Sequence, residues 1–224
     1  MEEVRKSHNF AKRTLIQNAV KMSKAKCILD VGFGRGGDLQ KWKAAGVRID
    51  ACEPDEESLI EATNRAHNMG IKTNLFKGDI SVCPHKKYDI ICYNFSIQYI
   101  FENGGLFFRT LKEIKKRMRP GGILIGCIPD SEQILINTPF KDSMGNFMTR
   151  KDDTGYGAFG EKLYVQLTDT PYYSDGPIAE PIAYKDLLIT HLELLGIHLE
   201  SWTPLGPDHE ISQLYSKFIF RNVM

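Results

Sequence analysis

Short apolar runs alternate along the chain with segments of helical periodicity. Ala11, Leu15, Ala19 and Met22 recur at helical spacing and predict an amphipathic helix over residues 8–22. Residues 27–33 are nearly all apolar, as a strand buried on both faces of a parallel sheet requires. A helix is predicted over 38–45, closed by Gly46, then a strand over 48–53 that ends in an acid and Pro54. A helix over 56–68 runs to Gly70, and strands follow over 73–79 and 88–95. The helix over 105–118 carries Phe107, Leu111, Ile114 and Met118 on one face; Arg119-Pro120-Gly121-Gly122 reads as a turn and 123–128 as a buried strand. Strands alternating with helices predict right-handed βαβ units and a doubly wound α/β sheet.

The pattern changes after that. Residues 139–160 are rich in Gly, Asp, Lys and Thr without periodicity, which predicts a long loop of the functional or mobile kind. Residues 161–168 alternate as a strand, 172–181 form a Pro/Gly/Tyr segment, 185–195 a helix, and 199–205 and 217–221 two closing strands. No internal repeat or low-complexity tract interrupts them.

The most informative stretch is the turn after the first strand. Asp30 precedes Gly32-Phe33-Gly34-Arg35-Gly36-Gly37, and a helix begins at Asp38. Such a strand, glycine loop and helix start hold either a dinucleotide or S-adenosylmethionine, because glycines let the backbone approach a ligand and the helix start presents free N–H groups. Asp30 would repel a pyrophosphate but hold an ammonium group, and Asp79, ending a later strand, suits an adenine amino group. Both favour S-adenosylmethionine over the dinucleotide.

Composition adds limits. A chain of 224 residues suffices for one domain, residues 1–224, with a sizeable core. The net charge of +1 gives no global basic field, so contact with nucleic acid has to be a local patch or a recognised end group. The five cysteines form no Cys-x-x-Cys pair and read as small buried hydrophobes in a reducing compartment; no metal site is expected. No apolar run reaches the ~18 residues of a membrane span, and the N-terminus lacks a signal-peptide core. The chain begins inside a charged segment, as one domain of a longer polypeptide would.

Taken in order, the motifs resemble those of the messenger-RNA cap guanine-N7 methyltransferases. His8-Asn9-Phe10-Ala11-Lys12 is similar to the family's N-terminal motif, and Asp30 through Leu39 to its "D-x-G-C-G-K-G-G-D-L" loop. Phe95-Ser96-Ile97-Gln98-Tyr99-Ile100-Phe101-Glu102 resembles "F-x-x-H-Y-x-F-E", Gly126 to Asp130 resembles "G-T-x-P-N", Glu180 with Tyr184 resembles "P-E-[FY]-L-V-Y", and Leu214-Tyr215 the terminal "L-Y". Three departures stand out: Phe33 replaces a cysteine, Gln98 a histidine, and Glu53 an aspartate. Gln98 puts in doubt any role that needs an imidazole, whereas Glu53 keeps a carboxylate able to accept from ribose hydroxyls.

The resemblance implies a Rossmann-like S-adenosylmethionine-dependent methyltransferase fold, a seven-stranded mostly parallel sheet with helices on both faces. It implies S-adenosyl-L-methionine as methyl donor, S-adenosyl-L-homocysteine as product, and the GpppN end of 5′-capped RNA as acceptor. Cofactor binding falls to Lys12, Asp30, Gly32, Gly34, Asp38, Glu53, Asp79 and Phe95. Lys12 reaches the methionine carboxylate, Asp30 the ammonium, Asp38 caps its helix, and Asp79 faces adenine. Substrate contact falls to Phe10, Gln98, Tyr99, Pro129 and Tyr215, which wall a purine slot, to Glu180 on the guanine edge, and to Arg35 on the triphosphate. No general base is implied; Glu180, Tyr99 and Tyr215 position the base. The basic run Lys112, Lys115, Lys116, Arg117 and Arg119 reads first as a solvated helix face, with RNA contact second. RNA triphosphatase and guanylyltransferase domains, fused or bound, are implied partners, with no membrane. Within the family the chain looks most like those of large cytoplasmic DNA viruses, which implies action in the cytoplasm; a cellular homologue would be nuclear. The alternatives are a small-molecule methyltransferase, a nicotinamide oxidoreductase, and a non-catalytic cap-binding module.

Overall fold

Alternate residues of the apolar runs face opposite sides of one sheet, and each side is covered. Ile28, Ile90, Ile123 and Ile125 pack in one buried cluster, while Leu29, Ile91 and Leu124, each one residue along, pack in the other. The computed structural model describes residues 3–150, 157–168 and 173–224. Its strands are β1 (Cys27–Val31), β2 (Arg48–Glu53), β3 (Thr73–Lys77), β4 (Tyr88–Asn94), β5 (Met118–Pro129), β6 (Phe140–Lys141), β7 (Phe147–Arg150), β8 (Lys162–Gln166), β9 (Ile178–Pro181), β10 (Ile197–Pro204) and β11 (Tyr215–Asn222). Its helices are α1 (Glu3–Ser23), α2 (Leu39–Ala44), α3 (Glu56–Asn68), α4 (Gly104–Arg117), α5 (Ser131–Asn137) and α6 (Lys185–Leu194). No helix among the described residues is long and apolar enough to cross a membrane.

Seven strands form the main sheet in the order β10-β11-β5-β4-β1-β2-β3. β3, β2, β1, β4 and β5 pair in parallel, and β11 and β10 close the sheet antiparallel. This is the expected α/β sheet. Residues of α1, α2 and α3 cover one face, and residues of α4 and α6 the other. The strand order reverses between β1 and β4. The loops after those two strands, Gly32–Gly37 and Phe95–Ser96, therefore flank the crevice where ligands bind in such sheets.

Three expectations need correction. The loop predicted over 139–160 contains β6 and β7, which join β8 and β9 in a second, four-stranded antiparallel sheet. Its residues 151–156 lie outside the described residues, as do 169–172, which include the start of the Pro/Gly/Tyr segment. The turn Arg119–Gly122 is instead a bulge within β5: Met118 pairs with Tyr88 and Ile123 with Ile90, so extra residues are accommodated, with Gly121 at φ +72°. Lastly, β4 stops at Asn94 because Phe95 takes φ +58°.

Gly32 shows why the first loop needs glycine. It sits at φ +71°, and a Cβ there would lie 2.3 Å from Ser96 Cβ. Gly34 also has positive φ (+53°), but open space surrounds its missing Cβ. Gly32→Ala is expected to lower unfolding free energy by about 3 kcal/mol or more through clash and strain, and Gly34→Ala by only about 1 kcal/mol. Urea denaturation of the two variants checks this ranking.

Candidate active site

The crevice is organised by a buried carboxylate. Asp38 Oδ1 accepts from Lys12 Nζ at 2.9 Å and Lys41 Nζ at 2.6 Å, and its Oδ2 accepts from Asn94 Nδ2 at 2.9 Å. Lys41 also donates to Asn9 Oδ1 at 2.9 Å and to Gly37 O at 3.1 Å. One carboxylate thus joins α1, the glycine loop, α2 and the end of β4. Burial opposes ionisation of Asp38, but the ammonium groups of Lys12 and Lys41 outweigh it and hold the carboxyl well below its usual range. The expected helix cap is not made: Asp38 occupies the N-cap position of α2, yet its side chain accepts no capping bond. Two ammonium groups are stronger partners for a buried carboxylate than a backbone N–H.

Asp30 is buried behind this group. Its Oδ2 accepts from Trp42 Nε1 at 2.7 Å, and burial, together with the nearby Asp38 charge, pushes its carboxyl up to about 7. Asp30 therefore acts first on Trp42. Lys12 points into the crevice but is already paired with Asp38, with its ammonium 5.8 Å from the centre of the Phe95 ring. Glu53 ends β2 and ties down the loop: Oε2 accepts from Gly34 N at 2.7 Å and Oε1 from Asp55 N at 3.0 Å. Asp79 is half-exposed and caps its own turn, accepting from Ser81 N and Oγ at 2.8 and 2.5 Å.

A second group lies at the ends of β4, β5 and β11. Phe95, Tyr215 and His8 form an aromatic trio with ring centroids 5.3–5.7 Å apart. Pro129 pairs with Tyr215 across the sheet. Gln98, on the short 3-10 helix Ile97–Glu102, donates to Phe95 O at 3.1 Å and to Glu180 Oε2 at 2.9 Å. Both partners are acceptors, which fixes the amide orientation. Glu180, on β9, also accepts from Tyr99 and, at 3.4 Å, from Tyr173. Burial pushes its carboxyl up to about 7 despite these donors. Two buried oxygens here have no partner among the described residues, Gln98 Oε1 and Asn94 Oδ1.

The fold thus brings together Phe95, Gln98, Tyr99, Pro129, Glu180 and Tyr215, and separately Lys12, Asp30 and Asp38 with Glu53 at the loop. Two expected substrate residues are not in either group. Phe10 is 70% exposed on the outer face of α1, so it does not wall the slot with Tyr215. Arg35 is exposed and pairs with Glu61 at 3.3 Å. Sequence reading missed His8, Lys41, Trp42, Asn94 and Tyr173. His8 and Lys41 are polar residues on helical faces that otherwise read as apolar, and Trp42 is a buried indole whose N–H needs an acceptor.

His8 sets a pH limit. Burial first, then the charges of Lys12 and His209, hold its imidazole down at about 4, against an ordinary value near 6.5. The unfolded chain takes up this proton near pH 6.5 and the folded chain only near 4. The His8 contribution to stability is therefore intact above pH 6.5 and is lost as pH drops toward 4, by up to about 3 kcal/mol. On going from pH 7.5 to 4.5 the urea midpoint of His8→Gln should rise relative to that of the wild type; an unchanged offset between the two would contradict this assignment.

The profile of the mRNA (guanine-N(7))-methyltransferase domain matches residues 1–173. An mRNA cap guanine-N(7) methyltransferase of Cryptococcus neoformans is 29% identical over 190 residues, covering 74% of this chain and 26% of that protein. That of Saccharomyces cerevisiae is 30% identical over 147 residues, covering 59% and 33%. The chain thus spans about a quarter to a third of the length of these two relatives. Among solved structures, an S-adenosylmethionine-dependent methyltransferase from Clostridium acetobutylicum has the same fold, with TM-score 0.68 at 13% identity over 98% of this chain and 94% of that one. With its glycine loop, its crevice and a profile match over most of its length, the chain belongs to the mRNA (guanine-N(7))-methyltransferase domain family.

Proposed function

We propose that this chain transfers the methyl group of S-adenosyl-L-methionine to N7 of the guanine at a GpppN RNA end, giving the cap-0 structure. The observation that carries the reading is the buried Glu180 carboxylate, held by Gln98, Tyr99 and Tyr173 next to Tyr215 and Phe95. Guanine presents two donors on one edge, N1–H and the 2-amino group. An ionised Glu180 accepts from them, and the unpartnered Gln98 Oε1 is a further acceptor. Adenine presents an acceptor at N1, which would face the carboxylate with no donor between them and is therefore disfavoured. Gln98 stands where the family has histidine, and its amide supplies the donor that Glu180 needs without an imidazole.

The crevice fits the methyl donor by the chemistry of its residues. Gly34 leaves open space, Asn94 Oδ1 is a buried acceptor suited to an ammonium group, and Glu53 stands at the β2 end where ribose hydroxyls are held in such sheets. When bound, the sulfonium supplies an electrophilic methyl group. N7 of guanine carries a lone pair and no proton, so the protein needs no general base. Its work is orientation, which can contribute several kcal/mol, and stabilisation of the positive charge that develops on the guanine ring. Glu180 does both.

The acceptor is made by removal of the RNA γ-phosphate and transfer of a guanylyl group, so we place triphosphatase and guanylyltransferase domains upstream, fused or bound. We read residues 1–224 as one catalytic domain, acting in the cytoplasm; five free thiols support a reducing compartment.

Glu180→Gln tests the reading. It removes the guanine acceptor and, with it, the cost of ionising a buried carboxyl above pH 7. Methyl transfer to GpppA-ended RNA should fall by 100-fold or more, with S-adenosylmethionine affinity retained. The same variant should be more stable than the wild type at pH 8, by about 1–3 kcal/mol, and not at pH 4, where the wild-type carboxyl is protonated in both states. Turnover by the wild type should rise with pH through about 7 as Glu180 ionises. Unchanged turnover in Glu180→Gln would remove the guanine assignment.

A further inference from the structure

α1 has two working faces. Its inner face carries His8 to the Phe95–Tyr215 pair and Lys12 to Asp38. Its outer face holds a surface hollow of about 430 Å³ lined by Arg5, Lys6, Asn9, Phe10 and Arg13. These positions form one stripe at helical spacing. Phe10 is the one aromatic in it, 70% exposed, with cations one turn to either side. An exposed phenyl ring offers a flat apolar face on which another ring can stack. Among the described residues the hollow is lined by no acid and Arg13 makes no ion pair.

The hollow adjoins the Asp38 group through one residue. Asn9 lines it and also accepts from Lys41, which binds Asp38. Burial chiefly lowers the Lys41 ammonium, and Arg13 is close enough for its charge to add to the effect. Four cations of the basic run that ends α4 have partners within the fold. Lys115 donates to Asn222, Lys116 and Arg117 pair with Glu113, and Arg119 pairs with Asp89. With a net charge of only +1, the chain's attraction for a polyanion has to be local.

We infer that the outer face of α1 is the track for the single-stranded RNA behind the cap, with a base stacked on Phe10 and phosphates held by Arg13, Arg5 and Lys6. The inference rests on the proposed acceptor being an RNA end and adds where its chain runs. A flat aromatic between cations suits single-stranded nucleic acid of any sequence, since every base has a stacking face and every linkage a charge. An acidic protein segment would use the cations but not the ring.

The test is the anisotropy of a fluorescein-labelled, uncapped ten-nucleotide RNA titrated with the full chain, at several salt concentrations. Phe10→Ala should weaken binding roughly tenfold and Phe10→Trp should retain it. Arg13→Ala should reduce the slope of log Kd against log salt by about 0.7, the value of one lost phosphate contact on a single strand. Thermal melts check that the variants fold. Variants that bind like the wild type, a Trp variant as weak as the Ala variant, or a wild type that does not bind the oligonucleotide would each overturn the inference. Parallel assays with the cap dinucleotide GpppA separate the two readings. A wild type that methylates GpppA while Phe10→Ala holds RNA normally overturns the RNA track alone. A wild type that shows the expected oligonucleotide binding but never methylates leaves the track standing and counts against the proposed activity.

Discussion

The crevice depends on a carboxylate that is kept ionised although it is buried. Asp38 would be costly to bury alone, and removing both ammonium partners would leave an uncompensated charge. Because Lys12 comes from α1, Lys41 from α2 and Asn94 from β4, the electrostatic requirement becomes a geometric one. The N-terminal helix has to lie across the switch point of the sheet for the glycine loop to hold its shape. Glu53 finishes the loop from the other side by taking the Gly34 N–H.

Glu180 is held by the opposite balance. Its partners are neutral donors, and burial pushes its carboxyl up rather than down. Such a group is ready to gain from a ligand that brings donors of its own, whereas Asp38 is already satisfied. One carboxylate is structural and the other is available. Gln98, on the 3-10 helix that follows β4, ties the antiparallel sheet to the end of the main sheet by donating to Glu180 on β9. The stability that a Gln at 180 would gain is the measure of what the site gives up to keep that acceptor.

The parallel sheet was legible because its strands are apolar on both faces and the intervening helices end at glycines. The glycine loop was legible because Gly32 has no steric alternative. The second sheet was not: β6 spans two residues and β7 four, in a segment whose Gly, Asp and Lys content reads as loop, and its pairing partners are distant in sequence. Asp38 was misread because a local rule, the helix cap, lost to a tertiary ion pair. Phe10 was placed by motif on the substrate side, although the apolar stripe of Ala11, Leu15 and Ala19 already put it on the outer face. Tyr173 and His8 meet their partners only through tertiary structure; His8 lay inside the N-terminal motif, but nothing local gave it a role.

Labelled S-adenosylmethionine offered to three RNAs tests the central claim most directly: one ending in GpppA, one uncapped, and one already carrying 7-methylguanosine. Label on the first alone is the expected result, since only it combines the guanine edge that Glu180 is proposed to read with a free N7. Equal labelling of the methylated cap or of uncapped RNA would contradict the assignment of N7 as the acceptor atom, and a chain that neither binds the methyl donor nor labels any of the three would contradict the reading of the glycine loop itself.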